Sequence, residues 1–317
     1  MSAAPRIWRA GPHAFAWGEG VAPLLMAIVN TTPDSFSDGG QFLDPAAAAA
    51  HALACVREGA AIVDVGGEST RPGAARVDAA AQIERTAACI ARIAHGGHAD
   101  GAQANGASER AARLAISIDT TLAPVAQAAL DAGACIVNDQ SAGTEDPRML
   151  ELCAQRGAGL VLMHRHAPPP LDRYSDRYER PPERGDIVPI VRDWLAARIE
   201  AALRAGVARD RIAVDPGLGF GKSVEQNFEL IERLPELAPL DCPVLVGASR
   251  KSFIAAAMAV AGAASATIPP AQRDPGSIAA ALRAAHRGAA ILRVHAVAAH
   301  AQALAADAAI GARRAAR

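Results

Sequence analysis

The chain has 317 residues, 51% of them apolar and only 3% aromatic, so aliphatic side chains and alanine must fill one large core. A formal net charge of −1 excludes nucleic-acid or membrane-surface binding driven by bulk electrostatics, and any anion site must be local. Five cysteines without a CxxC pair fit free thiols in a reducing compartment, and no N-terminal apolar leader or membrane-length apolar run is seen, so a cytoplasmic location is expected.

Residues 1–22 read as an N-terminal extension that closes a barrel floor, and 23–312 as one domain. Eight short apolar runs then follow, nearly all ending on a polar residue: 24–29 at Asn30, 61–63 at Asp64, 115–118 at Asp119 and 134–137 at Asn138. The later four are 159–163 at His164, 212–214 at Asp215, 244–246 leading to Ser249-Arg250-Lys251, and 289–292 leading to Arg293-Val294-His295. Runs of this length bounded by turn signals read as strands buried on both faces. Alanine-rich helical segments lie between and after them, at 45–58, 79–93, 124–132, 147–156, 187–205, 224–234, 277–287 and 297–309. Several open near proline and close before glycine. Eight β-then-α units predict an α/β fold, a single (β/α)8 TIM barrel, whose C-terminal strand ends converge on one face. Three irregular stretches interrupt the pattern. Residues 96–108 read as an insertion away from the chemistry, 166–185 as a proline-rich connection on the active face, suited to a lid, and 261–275 as a connection leaning away from it.

The loop after the first strand, from Asn30 to Gly40, is rich in hydroxyls and carboxylates and suits a segment that orders around a ligand. The loop after the second, 66–73, offers hydroxyls and Arg71, whose guanidinium can grip carboxylate or phosphate in bidentate fashion. Asp119, Asn138 and Asp215 form a set open to three readings: acceptors for a heterocycle with several N–H donors, a general acid and base, or metal ligands. The glycine-rich segment 215–223 fits neither a Walker loop nor a dinucleotide fingerprint in its spacing, and reads as backbone passing close to a bound ligand. Strand alternation points Arg293 and His295 to one side, and with Lys251 they make a cation cluster where barrels often hold phosphate. His164 and His166 lack the third ligand of a metal motif.

Together these motifs resemble the dihydropteroate synthase family. The matching stretches are 26–40 (MAIVNTTPDSFSDGG), 59–73 (GAAIVDVGGESTRPG), 116–120 (ISIDT), 137–139 (VND), 160–164 (LVLMH), 215–222 (DPGLGFGK), 247–253 (GASRKSF) and 293–295 (RVH), in one order over every expected strand. The resemblance implies a barrel that joins p-aminobenzoate to 6-hydroxymethyl-7,8-dihydropterin pyrophosphate, with Mg2+, as a homodimer and a sulfonamide target. It implies Asp119, Asn138 and Asp215 as pterin ligands with Lys251 at the ring's carbonyl edge, Asn30 as the Mg2+ ligand, and Arg293 and His295 on the pyrophosphate. Thr70, Arg71, Pro72 and Ser252 fall on the aminobenzoate side, with Phe36 on the loop that closes over it. Lys251, Arg293, His295 and Arg71 are the expected catalytic groups. Three positions depart from the family pattern: Gln140 where an aliphatic residue is favoured, Arg165 where Met is common, and Ala296 where Asp is usual. Arg165 is expected to narrow the pterin pocket or to pair with a nearby acid. A second reading is therefore a pterin-binding paralogue with altered synthase activity, and a third is a pterin-binding module without condensation chemistry.

Overall fold

The computed structural model describes residues 4–32, 44–99, 114–182, 185–260 and 268–315. Phe36, residues 100–113 of the expected insertion and its surroundings, and 261–267 of the third irregular stretch lie outside the described residues. Strands β1 (Arg6–Ala10) and β2 (His13–Trp17) form an antiparallel hairpin. Eight parallel strands follow: β3 (Leu24–Asn30), β4 (Ile62–Gly66), β5 (Ala115–Asp119), β6 (Ile136–Asp139), β7 (Gly159–Met163), β8 (Ile212–Asp215), β9 (Leu245–Val246) and β10 (Ile291–Val294). Their order is β8-β7-β6-β5-β4-β3-β10-β9, and a parallel bridge from Val214 to Val244 joins the two ends into a barrel.

Pleat alternation divides the strand residues cleanly. Val63, Val65, Ile116, Ile118, Leu160 and Leu162 point outward into the main core, against helices α1 (Pro45–Arg57), α2 (Ala79–Ala99), α3 (Ala123–Asp131), α4 (Arg148–Arg156) and α5 (Ile187–Arg204). The remaining helices are α6 (Val224–Glu232), α7 (Ser252–Val260), α8 (Asp274–His286) and α9 (Val297–Ala315). Helix starts follow local chemistry: the Asp44 carboxylate accepts from the Ala46 N–H ahead of Pro45, and Ser223 and Gln226 cap α6 reciprocally.

Inward-facing Met26, Ile62, Ala115, Ile136, Val161, Ala213, Leu245 and Ile291 form a second, smaller apolar cluster in the barrel's lower half. The N-terminal hairpin plugs it from below with Trp8 and Ala10. Gly159 permits that approach, since a Cβ there would stand 2.7 Å from the Ala10 Cβ. The Trp8 indole donates to the Arg211 carbonyl at 3.1 Å, so its one polar atom is satisfied.

Three features differ from the sequence reading. β4 continues past Asp64 to Gly66, which places Asp64 inside the lumen rather than at a strand end. Helix α7 was not expected, because its nine residues, SFIAAAMAV, are apolar on every side after Ser252 and show no amphipathic period. The hairpin gives the extension a regular structure that its short, mixed segments do not signal. All five cysteines are buried and unpaired. No helix among the described residues is long and apolar enough to cross a membrane.

Because Trp8 is 1% exposed and fills the barrel floor, Trp8→Ala is expected to lower the unfolding free energy by about 3–5 kcal/mol. Urea titration measures this; a loss under about 1 kcal/mol would show that the hairpin is not part of the core.

Candidate active site

Two residues above the apolar layer, the same strands present Ile28, Asp64, Ser117, Asn138, Met163, Asp215, Gly247 and Arg293. The lumen thus turns from apolar to charged within one pleat repeat. At its centre the Arg293 guanidinium donates from Nε to Asp64 Oδ2 at 2.6 Å and from Nη2 to Asp119 Oδ2 at 2.7 Å. Asn138 Nδ2 donates to the same Asp64 oxygen at 3.0 Å, and Gln140 Nε2 to Asp119 Oδ1 at 2.6 Å. Asp64 is fully buried and the Arg293 side chain is 17% exposed. Two buried carboxylates around one guanidinium carry an excess negative charge, and Asp119 responds: burial pushes its carboxyl up to about 7, with Arg293 pulling it down and Asp64 pushing it up.

Asp215 and Lys251 act on one another through their charges on the opposite wall. Burial raises the Asp215 carboxyl, opposed by the Lys251 charge and by the Gly217 N–H, which donates to its Oδ1 at 2.7 Å. Burial lowers the Lys251 ammonium to about 8, which the Asp215 charge opposes. Lys251 Nζ donates to the Leu218 carbonyl and lies 4.3 Å from the centre of the Phe220 ring. The glycine-rich loop approaches protein groups rather than open space: a Cβ on Gly217, at φ +69°, would fall 1.8 Å from the His164 carbonyl oxygen. Fully buried Lys222 knots this loop, donating to the Gly217 and Phe220 carbonyls at 2.9 and 3.0 Å and to His164 Nδ1 at 3.0 Å. His164 stays neutral, pushed down to about 2 by burial and by the Lys222 charge. It is a partner for a buried lysine.

Arg293 and His295 do share one side of the barrel, yet they are not two cations. Burial, with the Arg250 and Arg293 charges, lowers the His295 imidazole to about 3. The His295 backbone N–H donates to Ser249 Oγ at 3.2 Å, and the same hydroxyl lies within hydrogen-bond distance of the ring Nδ1, at 2.9 Å. His295 thus faces a ligand as a neutral hydrogen-bonding group. Arg250 turns away into a bidentate pair with Asp274 at 2.7 and 2.8 Å.

The loop after β4 carries Thr70, Arg71 and Pro72. Its Gly73 N–H donates to the Pro169 carbonyl at 2.7 Å, tying it to the proline-rich connection after β7. Arg71 is exposed, and its charge acts on His295. The connection is held on the active face at further points: Asp172 Oδ2 accepts from the Gly221 N–H at 3.0 Å, and the Ser175 N–H donates to Ser252 Oγ at 3.2 Å. It is a bonded wall of the mouth in this structure. Thr70, Asp119, Gln140 and Arg165 line one small recess. Arg165, with a side chain 7% exposed, pairs with Glu145, which also takes Arg76 at 2.8 Å. Of the two outcomes expected for Arg165, pairing with a nearby acid is the one seen. Ala296 precedes α9 and offers its carbonyl to His300.

Sequence reasoning missed Asp64, Lys222 and the bonding role of Gln140. A fully apolar-flanked aspartate in a strand (Ile62-Val63-Asp64-Val65) was the available signal for the first.

A family model described as pterin binding enzyme matches residues 26–295. The chain is 43% identical over 285 residues to the dihydropteroate synthase of Mycobacterium leprae, covering 90% of this chain and 92% of that one. Among solved structures, it resembles Xanthomonas albilineans dihydropteroate synthase with 4-aminobenzoic acid at a TM-score of 0.81 and 38% identity, over 98% and 99% of the two chains. It also resembles Yersinia pestis dihydropteroate synthase in a sulfonamide drug complex, at 0.80 and 32% identity, over 96% and 99%.

Removing the Asp64 carboxylate would take the shared buried acceptor from Arg293 Nε and Asn138 Nδ2, leaving Arg293 with Asp119 as its one bonded carboxylate. Asp64→Ala is therefore expected to destabilise the fold by about 3 kcal/mol or more in urea titration. Near-native stability would show that Arg293 finds its charge balance elsewhere.

Proposed function

The chain belongs to the pterin-binding enzyme family, and we propose that its barrel mouth joins p-aminobenzoate to 6-hydroxymethyl-7,8-dihydropterin pyrophosphate, giving 7,8-dihydropteroate and pyrophosphate. The observation that carries this reading is the gathering of Asp119, Asn138, Asp215, Lys251 and Arg293 at one end of one lumen, from five different βα units.

The residue types suit the substrate. A pterin ring has adjacent N–H donors and a carbonyl; carboxylates at Asp119 and Asp215 accept from the former, Asn138 supplies a donor and an acceptor, and Lys251 donates to the carbonyl. An apolar layer beneath and the Phe220 ring beside Lys251 cover the flat faces. In the reaction the methylene C–O bond breaks and pyrophosphate leaves with the electron pair. The arylamine nitrogen forms the new C–N bond and loses a proton. Carboxylates near the ring stabilise positive character on the electron-poor methylene, so the arylamine needs no strong base, and no side chain is assigned as one. Arg293 and neutral His295 bind the leaving anion, Arg293 exchanging a carboxylate partner for phosphate oxygens. Arg71, with Thr70, Pro72 and Ser252, faces the aminobenzoate carboxylate.

The residues at the mouth fit Mg2+ arriving with pyrophosphate. Asn30 ends β3 with its Oδ1 beside Gly66, 3.7 Å from where a Cβ there would stand, and a carboxamide oxygen suits a hard cation that takes its other ligands from water and phosphate. Asn30 would hold the ion, which when bound would neutralise charge on the leaving group. A homodimer and a cytoplasmic location belong to the same reading.

Gln140, Arg165 and Ala296 leave every one of these ligands in place, which favours synthase activity over the altered paralogue. The test is pyrophosphate release dependent on both substrates and on Mg2+. Lys251→Ala is expected to lower kcat/KM by about 100-fold or more with an unchanged melting curve; near-normal turnover would remove Lys251 from the site. A sulfonamide is expected to compete with p-aminobenzoate, and inhibition indifferent to p-aminobenzoate concentration would contradict the placement of Arg71 and Ser252.

A further inference from the structure

We propose that Gln140 is a positioning residue for Asp119, its amide hydrogen bond to Oδ1 holding that group as the carboxylate that receives the pterin ring. The inference rests on the reading of Asp119 as a pterin ligand. Gln140 stands one residue beyond the end of β6, is 6% exposed, and places Nε2 2.6 Å from Asp119 Oδ1 on the neighbouring strand. Its backbone sits in a turn that Asp139 secures: the Asp139 carboxylate accepts from the Ser141 N–H and hydroxyl at 2.8 and 2.7 Å and from the Gly143 N–H at 2.6 Å. The carboxamide therefore projects from a rigid base.

The two oxygens of Asp119 have different holders. Oδ2 is held by Arg293, which also bonds Asp64 and is the group assigned to pyrophosphate; Oδ1 is held by Gln140. When Arg293 turns toward pyrophosphate, the carboxylate loses its charged partner and Gln140 remains bonded to it. A carboxylate oxygen has two lone pairs, so Oδ1 can accept a ring N–H and keep the Gln140 bond. An amide N–H also bonds an ionised oxygen more strongly than a protonated one. That matters because Asp119 is poised between forms. Burial, Asp64 on β4 and Glu68 in the following loop favour the neutral acid, while Arg293 on β10, Gln140 and Lys251 favour the anion; Arg76 and Arg165 face it across the recess. A protonated Asp119 would meet a ring N–H with an O–H and bind the ring poorly.

The test is the dissociation constant of 6-hydroxymethylpterin for wild type, Gln140→Met and Gln140→Glu, each measured from pH 6 to pH 9. The ratio of variant to wild type is read, so the ligand's own ionisation cancels. For the nearly isosteric Gln140→Met, the ratio is expected to be about tenfold at pH 6, as for a hydrogen bond to a charged group, and to fall below about twofold at pH 9, where Asp119 is ionised in both proteins. Gln140→Glu, which adds a like charge, moves this convergence to still higher pH. A ratio that is constant across the range, or equal affinity at pH 6, overturns the proposal, since a merely structural loss does not follow the ionisation of Asp119. Wild-type protein that binds no pterin at any pH overturns the underlying site assignment instead.

Discussion

A single guanidinium between two buried carboxylates governs the upper half of this barrel. Asp64 and Asp119 lie on neighbouring strands and cannot both be ionised in a low-dielectric lumen without a cation between them. Arg293 supplies it from a position 229 residues away from Asp64 and 174 from Asp119, so the contact exists only once the last strand has closed against the first. The same arrangement sets two carboxylates against one guanidinium and leaves a carboxyl whose proton affinity sits near neutrality. A ligand that carries ring N–H donors at one end and a pyrophosphate at the other answers both conditions: donors for the carboxylates and an anion for the guanidinium.

The opposite wall is built by a different device. Lys222, fully buried and bonded to carbonyls and to a neutral histidine, gathers the glycine-rich loop into a tight knot. That knot sets the Leu218 carbonyl and the Phe220 ring where Lys251 meets them, so Lys251 is held over the lumen rather than swinging into solvent. The proline-rich connection after β7 then braces the loops after β4 and β8 through Pro169 and Asp172. Side chains from the two walls are thereby fixed relative to one another before any ligand arrives, which reduces the ordering cost of binding.

Much of this was legible in the amino-acid order. Parallel strands buried on both faces read as unbroken apolar runs, and the polar residue that stops each run is placed by the fold at the common mouth; Asp119, Asn138, Asp215 and Arg293 were found that way. The same logic fails at Asp64, where the carboxylate interrupts an apolar run that Val65 and Gly66 carry on within the strand. Helix α7 escaped because its residues show no polar face. The charge of His295 is hidden for another reason: a histidine beside an arginine looks cationic in a string of letters, while burial and the Arg250 and Arg293 charges favour its neutral form in space. Lys222 and Gln140 act through bonds to residues distant in the chain, and no local pattern announces such bonds.

On this reading one mouth holds the ring and the anion together. A crystal structure of the protein with 6-hydroxymethyl-7,8-dihydropterin pyrophosphate bound tests it most directly. The expected result is ring density bonded to Asp119, Asn138 and Asp215 with Lys251 at the carbonyl, and Arg293 turned from Asp119 toward phosphate oxygens. Ring density outside the lumen, or an Arg293 still bridging Asp64 and Asp119 with the pyrophosphate elsewhere, would contradict it.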